Sequence, residues 1–418
     1  MKITHVLFGY HPSVGGTQIF YKGISENCVA WYKDEVEVLT TNSYYGPHTN
    51  SFREISIPEE TINGVLVKRY PFRRNHKKII GFLNKLVAKI TNKQSNYFIE
   101  MLTGPLSKQL FKALNSTNAD VISASSLGYK YMQYPLYRHT LKTPKPFVFQ
   151  GAIHFKSDEH DGGITPKMLQ AIKASEYYLC NTAYEKNRLT ALGVNQENIV
   201  ITGCPVNITQ YENAKGHEVR KQLNLSSNDV LIGYIGRLEA TKSIPVLINA
   251  FEAAFQKNNQ LHLVIAGFET AYLKQLKQIV AKLDANIQCK ISFLISISEN
   301  EKANLFQAID VLVLPSTNES FGIVFLEAWA CKKPVIGTAI GAVSSVISNG
   351  TDGLLMQPYN TIDLTEKILQ LSNDKNLREF MGANGYNKVI QNYTWEIVTK
   401  KFRDTYVAAI EKFKKNNF

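Results

Sequence analysis

Short apolar runs alternate with longer helix-like or polar stretches along the whole chain. In the first half, short β-rich runs read KITHVLFG, EVEVLTT, DVISAS, PFVFQG and YYLCN. In the second half, they read VLIGYIG, LHLVIAG, ISFLIS, VLVLPS and PVIGT. Strands that are apolar throughout are typical of parallel sheets covered by helices on both faces. The two sets therefore predict an α/β protein with two doubly wound domains, and a length of 418 residues suits two domains.

Polar, turn-forming residues that follow the β run at 198–202 mark the domain boundary. We predict a first domain over 1–205, a second domain over 206–390 and a closing helical segment over 391–418. Sheets of this kind bind ligands at the carboxyl ends of their strands, so we expect the site in a cleft between the two domains. The loops after the strands are therefore where candidate chemistry is sought.

The net charge of +12 is concentrated in one segment. Between Lys68 and Lys112 there are eleven Lys and Arg residues against one acid, Glu100. Helical spacing puts one apolar side and one basic side on this segment: the apolar side is Ile79, Ile80, Phe82, Leu83, Leu86, Val87 and Ile90, and the basic side is Lys78, Lys85, Lys89 and Lys93. Two interpretations stay open: a helix at an anionic membrane surface through residues 68–93, or a domain helix whose apolar stripe faces the core. No pattern supports nucleic acid as a partner.

Other features of the chain narrow the class of protein. No run of about 18 apolar residues appears, and no signal-peptide pattern follows the N-terminus. The five cysteines are scattered and never form a C-x-x-C pair, which is typical of reduced, buried thiols. These observations lead us to expect a cytoplasmic protein, peripheral on the inner membrane face if the basic segment binds lipid.

The stretch NESFGIVFLEAWA holds two carboxylates eight positions apart, Glu319 and Glu327, after the apolar run VLVLPS. We predict a helix that begins near Ser320 or Phe321, with free N–H groups at its start and Glu327 two turns inside. Glu327 interrupts an apolar helix, and a carboxylate there needs a partner. Taken alone, the pair fits two interpretations equally: two acceptors that grip hydroxyl-bearing rings of one extended ligand, or a helix-terminal acid (Glu319) with a surface acid (Glu327).

Three further loops follow predicted strands. Arg237 and Lys242 lie five positions apart after VLIGYIG and fit a clamp for a diphosphate, although such residues in a loop are more often solvated. Gly15 and Gly16 open a helix after the first strand and allow close approach of a ligand, and His154 follows FVFQG. The acidic run at 158–161 contains possible metal ligands, but a contiguous run of this kind is better interpreted as a solvated loop.

These four loops resemble, in this order, those of the retaining nucleotide-sugar glycosyltransferases of family 4, which have the GT-B fold. ESFGIVFLE is similar to the E-x7-E motif of that family, and GRLEATKS is similar to its G-R-x-x-x-x-K-G phosphate element. PSVGG resembles its glycine loop and GAIHF its loop with a cleft histidine. The resemblance covers nearly the whole chain. It implies two Rossmann-like domains, acceptor-binding and donor-binding, facing across a cleft, with the tail around Trp395 crossing back onto the first domain.

The resemblance also assigns roles to residues of this sequence. It implies that Glu327 accepts the ribose hydroxyls, that Glu319 and the N–H groups at 321–323 hold the donor sugar, and that Arg237 and Lys242 neutralise the diphosphate. The expected catalytic residues are His154 and Glu319, and the expected donor-binding residues are Gly15, Gly16, Arg237, Lys242, Ile295, Ser320, Phe321, Gly322, Ile323 and Glu327. Ile295 is expected near the base. Neither a metal nor a cofactor is implied, and transfer proceeds with retention, by same-face attack of the acceptor.

The sequence departs from the family pattern at several positions. Ser243 and Lys332 stand where the family usually has glycine, and Ile295 replaces a frequent glycine near the base. In GAVSSVI, Ala342 replaces a glycine and Ser345 an acid. The identity of the nucleotide is therefore predicted less firmly than the fold. We expect a UDP-sugar as the donor, with a GDP-sugar as the alternative. The acceptor is a hydroxyl compound, a lipid-linked or polysaccharide precursor if the membrane interpretation holds.

Other functions on the same fold remain alternatives. The chain could be a catalytically silent partner in a membrane-associated glycan assembly, in which the altered GAVSSVI loop reports lost catalysis. It could also be a sugar-nucleotide epimerase, whereas a phosphorylase would need a pyridoxal-bearing lysine that no motif supplies. Hydrolysis of the donor without acceptor separates the transferase from the silent partner.

Overall fold

The computed structural model of the chain describes residues 1–13, 15–44, 53–72, 77–91, 95, 98, 107–125, 130–153 and 164–417. These residues divide into two units: the first contains the described residues up to Ile153, those from 164 to Thr202 and those from Val398 onward, and the second contains Gly203–Ile397.

The first unit is built on one large sheet and a separate pair of short strands. The strands of the unit are β1 (Lys2–Val6), β2 (Glu35–Thr41), β3 (Ser43–Tyr44), β4 (Arg53–Glu54), β5 (Glu59–Ile62), β6 (Val65–Tyr70), β7 (Val121–Ser125), β8 (Phe147–Gln150), β9 (Tyr177–Cys180) and β10 (Ile199–Ile201). Its helices are α1 (Gly16–Tyr32), α2 (Lys77–Thr91), α3 (Lys108–Asn115), α4 (Tyr134–Tyr137), α5 (Pro166–Ala174) and α6 (Ala183–Ala191). In the described residues the order is β10-β9-β8-β7-β1-β2-β6-β5, with β3 and β4 paired apart, and all neighbours in the large sheet are parallel except β5 and β6.

The second unit repeats the architecture with a smaller sheet. Its strands are β11 (Val230–Ile235), β12 (Leu261–Gly267), β13 (Ile291–Ile295), β14 (Val311–Leu314), β15 (Val335–Thr338) and β16 (Gly353–Met356). Its helices are α7 (Ile208–Glu212), α8 (Gly216–Gln222), α9 (Ile244–Phe255), α10 (Ala271–Val280), α11 (Ala285–Gln288), α12 (Glu299–Ala308), α13 (Ile323–Ala330), α14 (Gly341–Val346), α15 (Thr361–Asn373) and α16 (Lys375–Asn392). The fully parallel order β13-β12-β11-β14-β15-β16 is that of a Rossmann sheet.

The strand order of the second sheet fixes where its ligand site should lie. The chain starts at β11, runs outward to β13, and then returns to the other side of β11 at β14. Neighbouring strands whose following loops lead in opposite directions leave a crevice at their carboxyl ends. The loops after β11 and β14 therefore lie side by side, although their strands are about 80 residues apart in sequence.

The last helix, α17 (Trp395–Asn417), packs on the first unit. Its Phe402 ring meets Phe20 of α1 edge to face at 5.3 Å, and its Tyr406 hydroxyl lies 3.1 Å from Nε2 of His5. Arg403 Nε donates to Oδ2 of Asp34 at 2.8 Å. Aromatic and charged contacts together therefore fix this helix on β1 and α1.

The predicted α/β class with parallel sheets is confirmed, but several strands were missed. The strands β5 and β6 form an antiparallel edge, and β6 alternates buried and half-buried residues instead of being apolar throughout. The outer of the two, β5, is the edge strand and β6 is its inner neighbour, and strands that are only half buried at this end of the sheet do not show a continuous apolar run. The strand β16 is only four residues long and follows a turn.

Helix α2 presents its apolar residues outward. Exposed fractions on this helix are 60% for Ile79, 66% for Phe82, 38% for Leu83, 46% for Leu86 and 74% for Ile90. The sequence analysis placed Ile80 and Val87 on the same side, which is wrong for Ile80, since that residue is buried together with Asn84 on the face toward the protein. No helix among the described residues is long and apolar enough to cross a bilayer.

Candidate functional site

The loops after β11 and β14 are joined by hydrogen bonds in the second unit. The carbonyl oxygen of Thr241 accepts from the backbone N–H of Thr317 at 3.3 Å and from the Ser316 hydroxyl at 3.4 Å. These bonds hold the short 3₁₀ turn at Ala240–Lys242 against the first residues after β14. The two loops that carry the predicted phosphate element and the first glutamate therefore form one structure.

Lys242 and Glu319 meet in this structure. The Nζ of Lys242 lies 2.6 Å from Oε1 of Glu319, and the two side chains are only 9% and 13% exposed. An ion pair that is largely removed from water is stronger than a surface pair, and each partner neutralises the other. The sequence assigned the lysine to a diphosphate and the glutamate to a sugar, and the structure places both groups at a single point.

Arg237 has a different environment. Its side chain is 72% exposed, and its Nε lies 3.0 Å from Oε1 of Glu239. The backbone at this position is fixed, because the hydroxyl of the buried Tyr234 donates to the Arg237 carbonyl at 2.7 Å. The backbone of Arg237 is thus anchored, while its guanidinium is largely exposed and pairs with Glu239.

The helix after β14 begins later than predicted. The residues Ser320 and Phe321 precede it, Gly322 is its N-cap, and the helix starts at Ile323. Gly322 has φ of +86°, and a Cβ there would come within 2.5 Å of the Phe325 ring. Left-handed backbone cannot continue a right-handed helix, so the glycine sets the start. Glu327 therefore lies one turn inside the helix and not two.

Glu327 is buried and makes contacts through one of its oxygens. Its Oε1 accepts from the Tyr211 hydroxyl at 2.7 Å and from Lys302 Nζ at 2.6 Å, while its Oε2 has no hydrogen-bond partner. Burial and the neighbouring carboxylate raise the pKa of Tyr211. Burial alone would lower the pKa of Lys302, but Glu327 and Glu299 outweigh it and raise that pKa. The surface-acid interpretation of Glu327 is therefore wrong.

The other predicted residues lie as follows. Gly15 is the N-cap of α1 in the first unit, Gly16 is its first helical residue, and Ile295 is the half-buried last residue of β13. His154 and the acidic run at 158–161 lie outside the described residues. Within the described part of the chain, no three His, Cys, Asp or Glu side chains are grouped as metal ligands.

The described residues just before position 154 are held by a buried carboxylate. Glu185, 2% exposed, accepts from the Ile153 backbone N–H at 3.2 Å, from the Tyr178 hydroxyl at 2.8 Å and from the Asn181 backbone N–H at 3.1 Å. Burial raises the pKa of Glu185 to about 7, against the effect of these donors. The carboxylate ties the end of β8 to helix α6.

Two departures from the family pattern occupy special backbone positions. Ser243 has φ of 50° and Lys332 has φ of 54°, both in the left-handed region where glycine is favoured. The backbone that the family builds with glycine is therefore kept here with side chains. Next to Ile295, which is expected near the nucleotide base, the left-handed residue is Ser296, with φ of 57°.

Sequence reasoning missed Tyr211, Lys302 and Glu185. The apolar surroundings of Glu327 signalled that it needed a partner, but nothing in the sequence identified which residue supplies it. Tyr211 comes from α7, in the polar stretch that marked the domain boundary, and Lys302 comes from α12. Both reach Glu327 only through the packing of these helices against α13.

Comparison with known proteins agrees with this geometry. Residues 216–388, which hold the Lys242–Glu319 pair and Glu327, match the family model described as glycosyl transferases group 1. The second unit is therefore similar to the glycosyl transferases group 1. An uncharacterized glycosyltransferase from Methanocaldococcus jannaschii is 25% identical over 98% of this chain and 99% of its own length. A D-inositol 3-phosphate glycosyltransferase from Actinosynnema mirum is 24% identical over 59% of this chain, which spans 60% of that relative.

Solved structures show the fold of the chain. The Anabaena protein HepE in complex with UDP superimposes with a TM-score of 0.70 at 19% identity, covering 98% of this chain and 100% of that one. Sucrose-phosphate synthase from Thermosynechococcus elongatus gives a TM-score of 0.70 at 18% identity, covering 99% and 100%. The expected GT-B fold class is confirmed.

Proposed function

We propose that this protein transfers a sugar from a nucleoside diphosphate sugar, a UDP-sugar first of all, to a hydroxyl acceptor. The observation that carries the proposal is the Lys242–Glu319 ion pair shortly before the start of α13. Its Nζ and Oε1 atoms are 2.6 Å apart. It combines a cation for a phosphate with an acceptor for sugar hydroxyls at the switch point of a Rossmann sheet. Structures of HepE with UDP and with UDP-glucose support the choice of uridine.

The proposed roles are those that the family resemblance implies for these residues. Arg237 and Lys242 neutralise the diphosphate, Glu319 and the N–H groups of Phe321, Gly322 and Ile323 hold the sugar, and Glu327 accepts from the ribose. The base packs near Ile295, and Gly15 and Gly16 of the first unit take the phosphates. His154 acts near the bond being broken. We propose that no metal takes part, because two cationic side chains supply the charge that the leaving diphosphate needs.

We propose that the reaction retains the anomeric configuration. The acceptor oxygen attacks the anomeric carbon on the face from which the diphosphate leaves, so that a new C–O bond forms as the bond to the diphosphate breaks. The acceptor hydroxyl gives its proton to the departing phosphate oxygen. The donor-binding residues named above stabilise the charge on that oxygen. No side chain of the enzyme acts as a nucleophile in the reaction.

Release of UDP from UDP-sugars without acceptor tests this function. We expect slow hydrolysis by the wild type, a loss of roughly 100-fold in Lys242→Met, and no change in a Lys282→Met control, whose side chain is exposed elsewhere in the second unit. NMR of the first product formed should show the anomer of the donor. A silent partner protein would release no UDP, and an epimerase would return an epimerised sugar nucleotide; either result would contradict the proposal.

We also propose that α2 docks this enzyme on an anionic membrane. Ile79, Phe82, Leu83, Leu86 and Ile90 recur at helical spacing on one exposed stripe. The exposed Lys85 and Lys89 lie beside that stripe, in a segment with eleven basic residues against one acid. An apolar stripe flanked by lysines suits the boundary between headgroups and acyl chains. On this proposal the acceptor is a lipid-linked or polysaccharide precursor.

Cosedimentation with vesicles tests the docking. Wild type should bind vesicles of phosphatidylcholine with phosphatidylglycerol and not phosphatidylcholine alone. Because each lysine near such a surface contributes about 1 kcal/mol, a Lys85→Ala/Lys89→Ala variant should partition roughly 30-fold less. Phe82→Ser/Leu86→Ser should also detach, whereas Phe380→Ser, at an exposed phenylalanine 55% accessible in the second unit, should not. Equal binding by all variants, or self-association through α2 in solution, would contradict the membrane proposal.

A further inference from the structure

The carboxylate of Glu327 is used unevenly by the protein. Its Oε1 receives two donors, the Tyr211 hydroxyl at 2.7 Å and the Lys302 ammonium at 2.6 Å. Two donors fill the lone pairs of one carboxylate oxygen. Its Oε2 is buried and has no hydrogen-bond partner, on a side chain that is 8% exposed. A buried acceptor without a donor is costly, so a ligand hydroxyl that reaches it is favoured.

The two donors come from two different helices. Tyr211 is held by α7, and its ring meets Phe306 of α12 edge to face at 5.8 Å. Lys302, also on α12, is shared with Glu299, whose carboxylate lies 3.7 Å from Nζ. The ring contact and the second ion pair fix the directions from which both donors approach Glu327.

We propose that Tyr211 and Lys302 are positioning residues that fill Oε1 of Glu327 and so reserve Oε2 for a ribose hydroxyl of the nucleotide. This inference rests on the donor site proposed above and adds how that site distinguishes ribonucleotides from deoxyribonucleotides. A hydroxyl arriving at Oε2 meets an acceptor that is already oriented. A nucleotide without ribose hydroxyls leaves Oε2 unpaired and gains nothing there.

Titration calorimetry with UDP and 2′,3′-dideoxy-UDP measures this discrimination directly. Wild type should bind UDP at least roughly tenfold more tightly than the dideoxy nucleotide, as expected for one hydrogen bond to a charged acceptor. Tyr211→Phe and Lys302→Met should bring the ratio toward one and leave the affinity for dideoxy-UDP within about twofold. Lys302→Arg should restore most of the ratio, because it returns a cationic donor.

Matched controls remove the same kinds of bond elsewhere in the second unit. Tyr386→Phe removes a hydroxyl that donates to Glu212 at 2.9 Å, and Lys367→Met removes an ammonium that donates to Asp363 at 2.7 Å. Neither should alter the UDP to dideoxy-UDP ratio. Melting curves of all variants show whether each one is folded, and Tyr211→Phe preserves the ring contact with Phe306.

The possible failures are distinguishable. If the wild type prefers UDP and both variants keep the same ratio, the positioning role is wrong while the donor site stands. If the wild type binds both nucleotides equally, Oε2 takes no ribose hydroxyl and the inference is overturned. If the wild type binds neither these nucleotides nor their guanosine counterparts, the donor proposal is wrong and this inference falls with it.

Discussion

The Nζ of Lys242 lies 2.6 Å from Oε1 of Glu319, although the two residues come from different loops 77 positions apart. In the protein without ligand, the glutamate neutralises the charge that a diphosphate would need. A donor must therefore share Lys242 with Glu319, or displace one from the other. This competition should be visible in binding as well as in catalysis.

Replacing Glu319 by glutamine should separate these two effects. Glu319→Gln removes the competing charge, so we expect UDP to bind roughly threefold to tenfold more tightly while the rate of UDP release from the donor falls at least tenfold. Lys242→Met should weaken both. Calorimetry and a UDP-release assay on the same preparations provide the numbers. Equal weakening of UDP binding in both variants would show that the pair acts only as a structural ion pair.

Gly16 offers a test of phosphate approach in the first unit. It is the first residue of α1, and a Cβ there meets nothing within 4 Å in the protein. Gly16→Ala should therefore leave the melting temperature unchanged or slightly raised, yet increase the KM for the donor roughly tenfold if the phosphates approach this backbone. Gly81→Ala, at another helical glycine with open space, is the matched control. An unchanged KM in Gly16→Ala would remove this glycine from the site.

Ser243 and Lys332 should each cost stability through their backbone. Both residues adopt positive φ values, 50° and 54°, that glycine tolerates better. In Ser243→Gly and Lys332→Gly, the relief of backbone strain should raise the free energy of unfolding by about 0.5–1 kcal/mol. The greater conformational entropy of glycine in the unfolded chain reduces this gain. Denaturant titration of these variants, with Ser243→Ala as the control that keeps the strain, provides the check. A loss of stability in both glycine variants would mean that the side chains contribute more than the backbone costs.

Two buried groups of the first unit should make its stability depend on pH in opposite directions. Burial lowers the pKa of His5 to about 3, so its contribution is full above pH 6.5 and is lost as the pH falls toward 3. Burial raises the pKa of Glu185 from 4.5 to about 7, so its contribution is full below pH 4.5 and is lost as the pH rises through 7. Between about pH 4.5 and 6.5 the two slopes cancel.

Glu185→Gln should leave only the pH dependence of the free energy of unfolding that comes from His5. In that variant we expect the free energy of unfolding to rise with pH between 5 and 6.5 by about 1.4 kcal/mol per pH unit relative to the wild type. Urea titrations at pH 5, 5.75 and 6.5 measure the difference between variant and wild type. Glu197→Gln, at an exposed position of the first unit, should run parallel to the wild type. Parallel curves for Glu185→Gln as well would mean that this carboxyl titrates outside the interval.

The sequence predicted most of the second unit because its strands are buried on both faces. Runs such as VLIGYIG and VLVLPS are apolar throughout, and they correspond to β11 and β14. Strand β6, the neighbour of the edge strand β5, was missed because its alternation of buried and half-buried residues lacks a continuous apolar run. For α2, periodicity predicted the helix but not its orientation, since only packing decides that Ile80 faces the protein and Phe82 faces outward.

The sequence predicted which residues form the candidate site, but not the contacts between them. Motif resemblance identified Lys242 and Glu319, but their pairing follows from the strand order that places β11 beside β14. The start of α13 was misjudged because one left-handed residue, Gly322, delays the helix. Tyr211 and Lys302 were not found, because side chains that converge from separate helices leave no spacing signal in the sequence.

A thermal-shift panel of UDP, GDP, ADP and CMP against the wild type and Glu327→Ala tests the donor site most directly. A nucleotide at about 100 times its dissociation constant stabilises the fold by roughly 2.7 kcal/mol, which corresponds to a rise of about 5–10 °C for a unit of this size. We expect UDP to raise the melting temperature of the wild type and of the exposed control Glu366→Ala, but not of Glu327→Ala. No shift with any of the four nucleotides, or an equal shift in Glu327→Ala, would contradict the proposed site.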